Sequence, residues 1–189
     1  MPKLLSILGW CAKMKAKLAI LVVALLVIVA GEIAFTHATT PNLALPDLSG
    51  SCTNKGTQFT TTLTASSLSS TMLWQVNVTW TPDQVTVVSY SLGSSFPSSA
   101  GITLSKNSTV AGYFVVGYSF YDGNSTSSSN GLTLVTLTWK TKVYHANSLL
   151  HIVTASETPL VTKLADTSFN NQPYTTTDGV YTCNLGPSK

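Results

Sequence analysis

Arginine is absent from this chain of 189 residues, and charged residues of all kinds make up only 9 % of it. Four of the ten lysines (Lys3, Lys13, Lys15 and Lys17) precede the first long apolar run. Beyond Ala38, six lysines balance six acidic residues, so the formal charge of +3 comes from the N-terminal segment. Nucleic-acid binding needs clustered basic side chains. The composition therefore excludes a nucleic-acid partner.

The chain also lacks the residue patterns that carry catalysis or bind a metal. A glycosidase needs two carboxylates that face each other, but the acids mostly adjoin Gly, Pro or Asn in turns. Those acids are Asp83, Asp122, Glu157, Asp166 and Asp178. His145 and His151 are isolated from any Ser-x-Gly elbow or Cys nucleophile, and Asp122-Gly123-Asn124 lacks the later ligands of a calcium loop. We therefore expect a non-catalytic protein without cofactor or metal.

Leu18–Phe35 is the one run of membrane-spanning hydrophobicity, and we expect it to form a helix. Lysines precede this run, so the positive-inside rule places the N-terminus in the cytoplasm. A signal peptide cut after Thr36-His37-Ala38 and an uncut membrane anchor both fit the segment 1–38. In either case the remaining chain is expected to be secreted or held at the extracellular face of the cell membrane.

Two cysteines flank the expected exported domain. Residues 39–56 are rich in Thr, Pro, Asn, Gly and Ser and are predicted to form a linker, with the domain at 57–184 and a tail at 185–189. Cys52 and Cys183 are predicted to form a disulfide, since export places them in an oxidising compartment. A metal site is the alternative, but no histidine pair accompanies the cysteines. The bridge would make the first and last strands neighbours.

Alternating apolar residues indicate that the domain is all-β. In Met72–Pro82 every second residue is large and apolar, and Trp74 and Trp80 lie on that side. Turn-forming residues separate further segments of this kind, which is typical of an antiparallel sandwich. The predicted strands are Thr57–Ala65, Met72–Trp80, Gln84–Tyr90, Thr109–Tyr121, Leu132–Lys142, Ser148–Ala155 and Gly179–Cys183, with weaker ones at Ile102–Leu104 and Leu160–Leu164.

Five of these segments carry a further signal: LWQVNVTWTP at 73–82, VTVV at 85–88, AGYFVVGY at 111–118, LTLVTLTWK at 132–140 and DGVY at 178–181. Their residues and their order resemble those of cohesin domains. The resemblance implies an antiparallel jelly-roll β-sandwich of about nine strands. It also implies non-catalytic binding, often of a dockerin protein at a flat sheet face.

Two sets of residues are candidates for modification or binding. Asn77, Asn107 and Asn124 begin Asn-x-Ser/Thr sequons and are predicted N-glycosylation sites, with Asn77 on the wetter side of its strand. Tyr113 and Tyr121 fall on one side of a strand and form a candidate platform for carbohydrate binding. Packing of both tyrosines within the protein is the competing interpretation.

Two functions from different classes fit these patterns. The first is an extracellular cohesin-like binding or adhesion module that recognises a protein or a polysaccharide. The second is a self-assembling, pilin-like subunit of a surface filament, with the N-terminal helix packed in the filament core. An uncut N-terminal helix would also give the chain a membrane contact.

Overall fold

The computed structural model describes residues 39–52, 54–157 and 160–184, and these form thirteen β-strands and no helix. The helix predicted at 18–35 and the tail predicted at 185–189 lie outside the described residues. Within the described ranges no helix has the length and hydrophobicity needed to span a membrane. The predicted all-β fold is confirmed for this part of the chain.

The strands are divided between two sheets. The five-stranded sheet has the spatial order β12-β1-β3-β9-β5 and consists of β1 (Asn42–Ala44), β3 (Gln58–Ser66), β5 (Val85–Leu92), β9 (Leu132–Thr141) and β12 (Thr175–Thr177). The eight-stranded sheet consists of β2 (Leu48–Ser51), β4 (Leu68–Thr79), β6 (Gly101–Ser108), β7 (Tyr113–Phe120), β8 (Thr126–Ser128), β10 (Ala146–Ile152), β11 (Lys163–Asp166) and β13 (Gly179–Asn184). Its order is β2-β13-β10-β4-β7-β6, with β8 and β11 also paired to β4.

All nine predicted strands have counterparts, and four short strands are added. The added strands β1, β2, β8 and β12 have three or four residues each, too few to show a period. The strand predicted at Thr109–Tyr121 begins only at Tyr113. Residues 109–112 form a turn, in which Gly112 has a φ of 69° and its N–H donates to Ser108 O.

The segment 39–56 is not simply the linker that its composition predicts. It contains β1 and β2, which pair in parallel with β12 and β13, so the sheets are not purely antiparallel. Leu43 and Leu45 belong to the buried core. Composition misleads here because Pro41 and Pro46 lie at strand boundaries, where a missing N–H disrupts no ladder. Pro41 O even accepts a hydrogen bond from Thr175 N at 2.8 Å.

The apolar side of β4 lies at the centre of the core, as the alternation predicts. Met72, Trp74, Val76 and Val78 are all buried, as is Trp80, which follows the strand. The Trp80 ring meets Trp139 of the opposite sheet edge to face, with centroids 5.2 Å apart. Such contacts between the two sheets hold the sandwich together and keep the other side of β4 facing outward.

The predicted disulfide between Cys52 and Cys183 is present, with Cα atoms 5.6 Å apart and a sequence separation of 131. Both cysteines are buried. The bridge lies where β2 runs beside β13, with Gly50 opposite Cys183. The N-terminal and C-terminal strands of the domain are therefore neighbours, as the predicted pairing requires.

Candidate binding surface

The outward side of β4, β7 and β6 forms a continuous surface, which we call the outer face. Strand register aligns Leu73, Ser119 and Ile102 in one row across it. The next row aligns Gln75, Gly117 and Leu104. These positions alternate with core residues such as Trp74 and Tyr118, so their side chains point away from the core. The outer face is thus set by the same period that builds the core.

The edge of the outer face is unusually apolar. Ile102 is 52 % exposed and Leu104 is 69 % exposed, and both lie on the edge strand β6. Two large aliphatic residues side by side on one exposed strand leave an apolar area that water solvates poorly. This strip is suited to contact with an apolar surface of another molecule.

A shallow cavity of about 70 Å³ lies between these residues and β4. Gly117 forms its floor, with Leu73 and Gln75 on one side and Ile102 and Leu104 on the other. A Cβ atom at position 117 would lie 3.1 Å from Trp74 O, tighter than normal packing. Glycine therefore keeps the cavity open, and its size suits the tip of one aliphatic side chain.

The other side of the outer face is covered by residues 160–162. Gln75 Nε2 donates to Val161 O at 2.7 Å, and Asn77 Nδ2 donates to Leu160 O at 2.6 Å. Thr162 Oγ1 accepts a hydrogen bond from Asn77 N. In the described part of the chain, Ile102 and Leu104 on β6 lie beyond this cover and remain open to a partner.

This cover overturns the expectation that Asn77 lies on an accessible surface. Asn77 is only 3 % exposed, and the nitrogen that would carry the glycan is already hydrogen-bonded. A glycan there would have to displace residues 160–162. Asn107 on β6 and Asn124 after β7 are exposed, so glycosylation at these two sites stays a prediction.

The structure does not bring Tyr113 and Tyr121 together. Tyr113 lies at the start of β7 and Tyr121 just beyond its end, roughly 26 Å apart at about 3.3 Å per residue. Tyr121 is 48 % exposed, whereas Tyr113 is half-buried beside Lys106, whose Nζ is 6.0 Å from the ring centroid. A single sugar ring cannot contact both tyrosines.

Tertiary structure assembles one cluster of ionisable groups that sequence reasoning missed. His151 Nδ1 lies 2.6 Å from Asp178 Oδ2, and His151 Nε2 lies 3.0 Å from Glu157 Oε1. His151 is a strand residue, as predicted, whereas Glu157 lies in a turn and Asp178 lies between β12 and β13. No sequence motif indicates the cluster, because His151 is 6 residues from Glu157 and 27 residues from Asp178 in the chain.

A larger cleft, of about 570 Å³, lies next to this cluster. Thr154, Ala155 and Ser156 form one wall, and Leu164 and Tyr174 are among the residues opposite. Tyr174 Oη donates to Thr162 O at 2.7 Å, and burial raises the pKa of the phenol, which therefore remains a neutral donor. In the described ranges, no group of three or more His, Cys, Asp or Glu side chains is placed to hold a metal ion.

Solved structures with the same architecture are cohesin domains. The non-cellulosomal cohesin of the archaeon Archaeoglobus fulgidus is 10 % identical, with a TM-score of 0.60 over 77 % of this chain and 91 % of its own. The cohesin of a type I cohesin–dockerin complex from Clostridium thermocellum is 9 % identical, with a TM-score of 0.63 over 78 % of this chain and 95 % of its own. A type II cohesin of the Acetivibrio cellulolyticus cellulosome is 13 % identical, with a TM-score of 0.60 over 75 % of this chain and 94 % of its own.

These similarities show that the chain has a cohesin-like fold, and the resemblance noted in the sequence is confirmed at that level. Neither a protein-family model nor a curated protein sequence matches the chain.

Proposed function

We propose that this chain is a non-catalytic extracellular module that binds a protein partner through the open part of the outer face. The observation that carries the proposal is the apolar strip of Ile102 and Leu104 around the cavity at Gly117. Exposed aliphatic residues on a rigid sheet lose little entropy when a partner covers them. A rigid apolar strip with a small central pocket therefore favours a protein surface with a complementary apolar side chain.

The fold supports this assignment by analogy. The Clostridium thermocellum structure is a cohesin bound to a dockerin, so this architecture serves protein recognition in that case. A polysaccharide partner has less support in this chain, since Tyr113 and Tyr121 lie at opposite ends of β7. The filament subunit remains the alternative, and it depends on Leu18–Phe35, which lies outside the described residues.

The extracellular setting rests on separate observations. The buried disulfide between Cys52 and Cys183 is of the kind that forms and persists in oxidising compartments. The apolar run at 18–35 provides a route for export. Anchoring to the membrane through that run, or secretion after its removal, completes the proposal.

The test is capture of extracellular proteins from the source organism by the full-length chain. We compare the wild type with Leu104→Asp and with a matched control, Val88→Asp, on β5 of the other sheet. Val88 is 45 % exposed, so the control adds the same charge at a comparably accessible position. We expect Leu104→Asp to weaken capture at least about tenfold, a loss of roughly 1.4 kcal/mol, and Val88→Asp to leave it unchanged.

Near-ultraviolet circular dichroism of the buried tryptophans checks that both variants are folded. Equal capture by all three proteins would place the binding surface elsewhere. Binding to a glycan array, with no captured protein, would instead favour the carbohydrate alternative.

A further inference from the structure

His151 lies between two carboxylates that come from different parts of the fold. Asp178 belongs to the corner between β12 and β13, and its other oxygen, Oδ1, accepts from Ile152 N at 2.8 Å. Glu157 ends the turn Thr154–Glu157, whose backbone closes through Glu157 N donating to Thr154 O. Glu157 Oε2 also accepts from Thr154 Oγ1 at 2.9 Å. The imidazole thus joins a turn that follows β10 to a corner that precedes β13.

We infer that His151 is a proton-operated clamp: its cation holds the Thr154–Glu157 turn against the β12–β13 corner, and loss of one proton releases that turn. The imidazolium ion carries an N–H on each ring nitrogen and donates to both carboxylates. A neutral imidazole has only one N–H. Its second nitrogen then presents a lone pair to a carboxylate oxygen, which is a repulsive contact.

The geometry decides which contact opens. The bond to Asp178 is shorter, at 2.6 Å against 3.0 Å, and the Ile152 amide holds that carboxylate in place. Glu157 is more exposed than Asp178. We therefore assign the remaining proton to Nδ1, facing Asp178, and expect the Glu157 contact to be lost.

The charged groups that act on His151 in the described part of the chain are Asp178 and Glu157. On the strand beside it, β4, the residue opposite is the neutral Thr79. The negative charge of Glu157 helps to raise the pKa of Tyr174, but Tyr174 is not among the groups that act on the imidazole. Both charges facing His151 are thus negative, and both stabilise its cation.

The direction of the pKa shift agrees with this geometry. Burial lowers the pKa of His151, but hydrogen bonds to Asp178 and Glu157 and their negative charges outweigh burial, so the pKa is raised. The pKa of Glu157 is lowered, chiefly by the Thr154 backbone N–H and also by His151. The clamp is fully closed below the unfolded-state pKa of about 6.5, and its contribution is lost as the pH rises through the higher folded-state value.

Release of the turn would reshape the neighbouring cleft. Thr154, Ala155 and Ser156 form one wall of that cleft, and all three belong to the clamped turn. Leu164 and Tyr174 lie on other elements and are not held by His151. A change in protonation at His151 therefore alters the wall of the cleft that the turn forms.

The test is an NMR titration of the full-length chain, which follows the His151 ring and the Thr154–Glu157 backbone amides together. We expect both to move with one midpoint, above about 6.5. The hydrogen-exchange protection of the turn amides should fall about tenfold between the acidic and alkaline ends of the titration. Independent behaviour of the turn amides while His151 titrates would overturn the inference.

Three variants complete the test. Glu157→Gln removes one charge at an exposed position, and it should lower the His151 midpoint and abolish the coupled movement of the turn. His151→Gln, neutral at every pH, should show the low protection of the open state throughout. His145→Gln, at an exposed histidine outside the cluster, is the control and should behave like the wild type. An unchanged His151 midpoint in Glu157→Gln would refute the clamp.

Discussion

Removal of the Cys52–Cys183 bridge should have the largest effect on stability of the changes considered for this domain. The bridge joins two buried residues at the ends of the domain, at a sequence separation of 131. The double substitution Cys52→Ala and Cys183→Ala removes the bond without leaving an unpaired thiol. Cys11→Ala is the control, since it removes the third cysteine of the chain and leaves the bridge intact.

The sequence separation sets the expected magnitude. In the chain-entropy model, a loop of this length reduces the entropy of the unfolded chain by roughly 17 cal/mol/K, or about 5 kcal/mol at 25 °C. Measured losses in small secreted domains are about 2–5 kcal/mol, so the estimate lies at the upper end. With an m-value of about 2 kcal/mol/M in urea, the midpoint of unfolding should fall by about 1–2.5 M.

The assay is urea unfolding followed by tryptophan fluorescence, with the bridge verified by peptide mass mapping. The double variant should unfold at markedly lower urea, and Cys11→Ala should unfold with the wild type. A loss below about 1 kcal/mol would refute the reasoning, because it would mean that the bridge does not restrict the unfolded chain.

Two further predictions concern buried polar groups and glycosylation. Trp139→Phe should destabilise the domain by about 2 kcal/mol more than Trp74→Phe, although both remove the same volume. The Trp139 indole donates to Thr61 Oγ1 at 2.8 Å, whereas the Trp74 indole N–H is buried without an acceptor in the described part of the chain. Equal midpoints of urea unfolding for the two variants would contradict this predicted difference in stability. In a glycosylating host, Asn107→Gln should remove one glycan from the folded protein, and Asn77→Gln none. A glycan found at Asn77 by mass spectrometry would disprove its buried placement.

Much of the sandwich could be predicted because the information is local. The side of β4 that carries Trp74 and Trp80 is apolar at every second position, and this period identifies a strand and its core side without knowledge of its neighbours. The pairing of Cys52 with Cys183 followed from their number and the expected compartment. The short strands β1 and β2 could not be predicted in this way, since their pairing partners β12 and β13 lie more than 120 residues away.

The candidate binding surface could be predicted only in part. Alternation placed Tyr113 and Tyr121 on one side of a strand, but strand length decides that they stand too far apart to act together. The exposure of Leu104 depends on β6 being the last strand of its sheet, which no local pattern reveals. Whether a strand lies at the edge or in the centre of its sheet depends on the order of all the strands in that sheet.

Side-chain period and cysteine count need no distant partner, and they were therefore sufficient to predict an all-β domain with one bridge between its ends. Which positions are accessible and which ionisable groups meet depends on how the strands are arranged in three dimensions. Asn77 is buried because residues 160–162 return across β4, and His151 meets Asp178 because β10 pairs with β13. Both outcomes depend on contacts between residues far apart in the chain, and those contacts exist only once the sheets have formed.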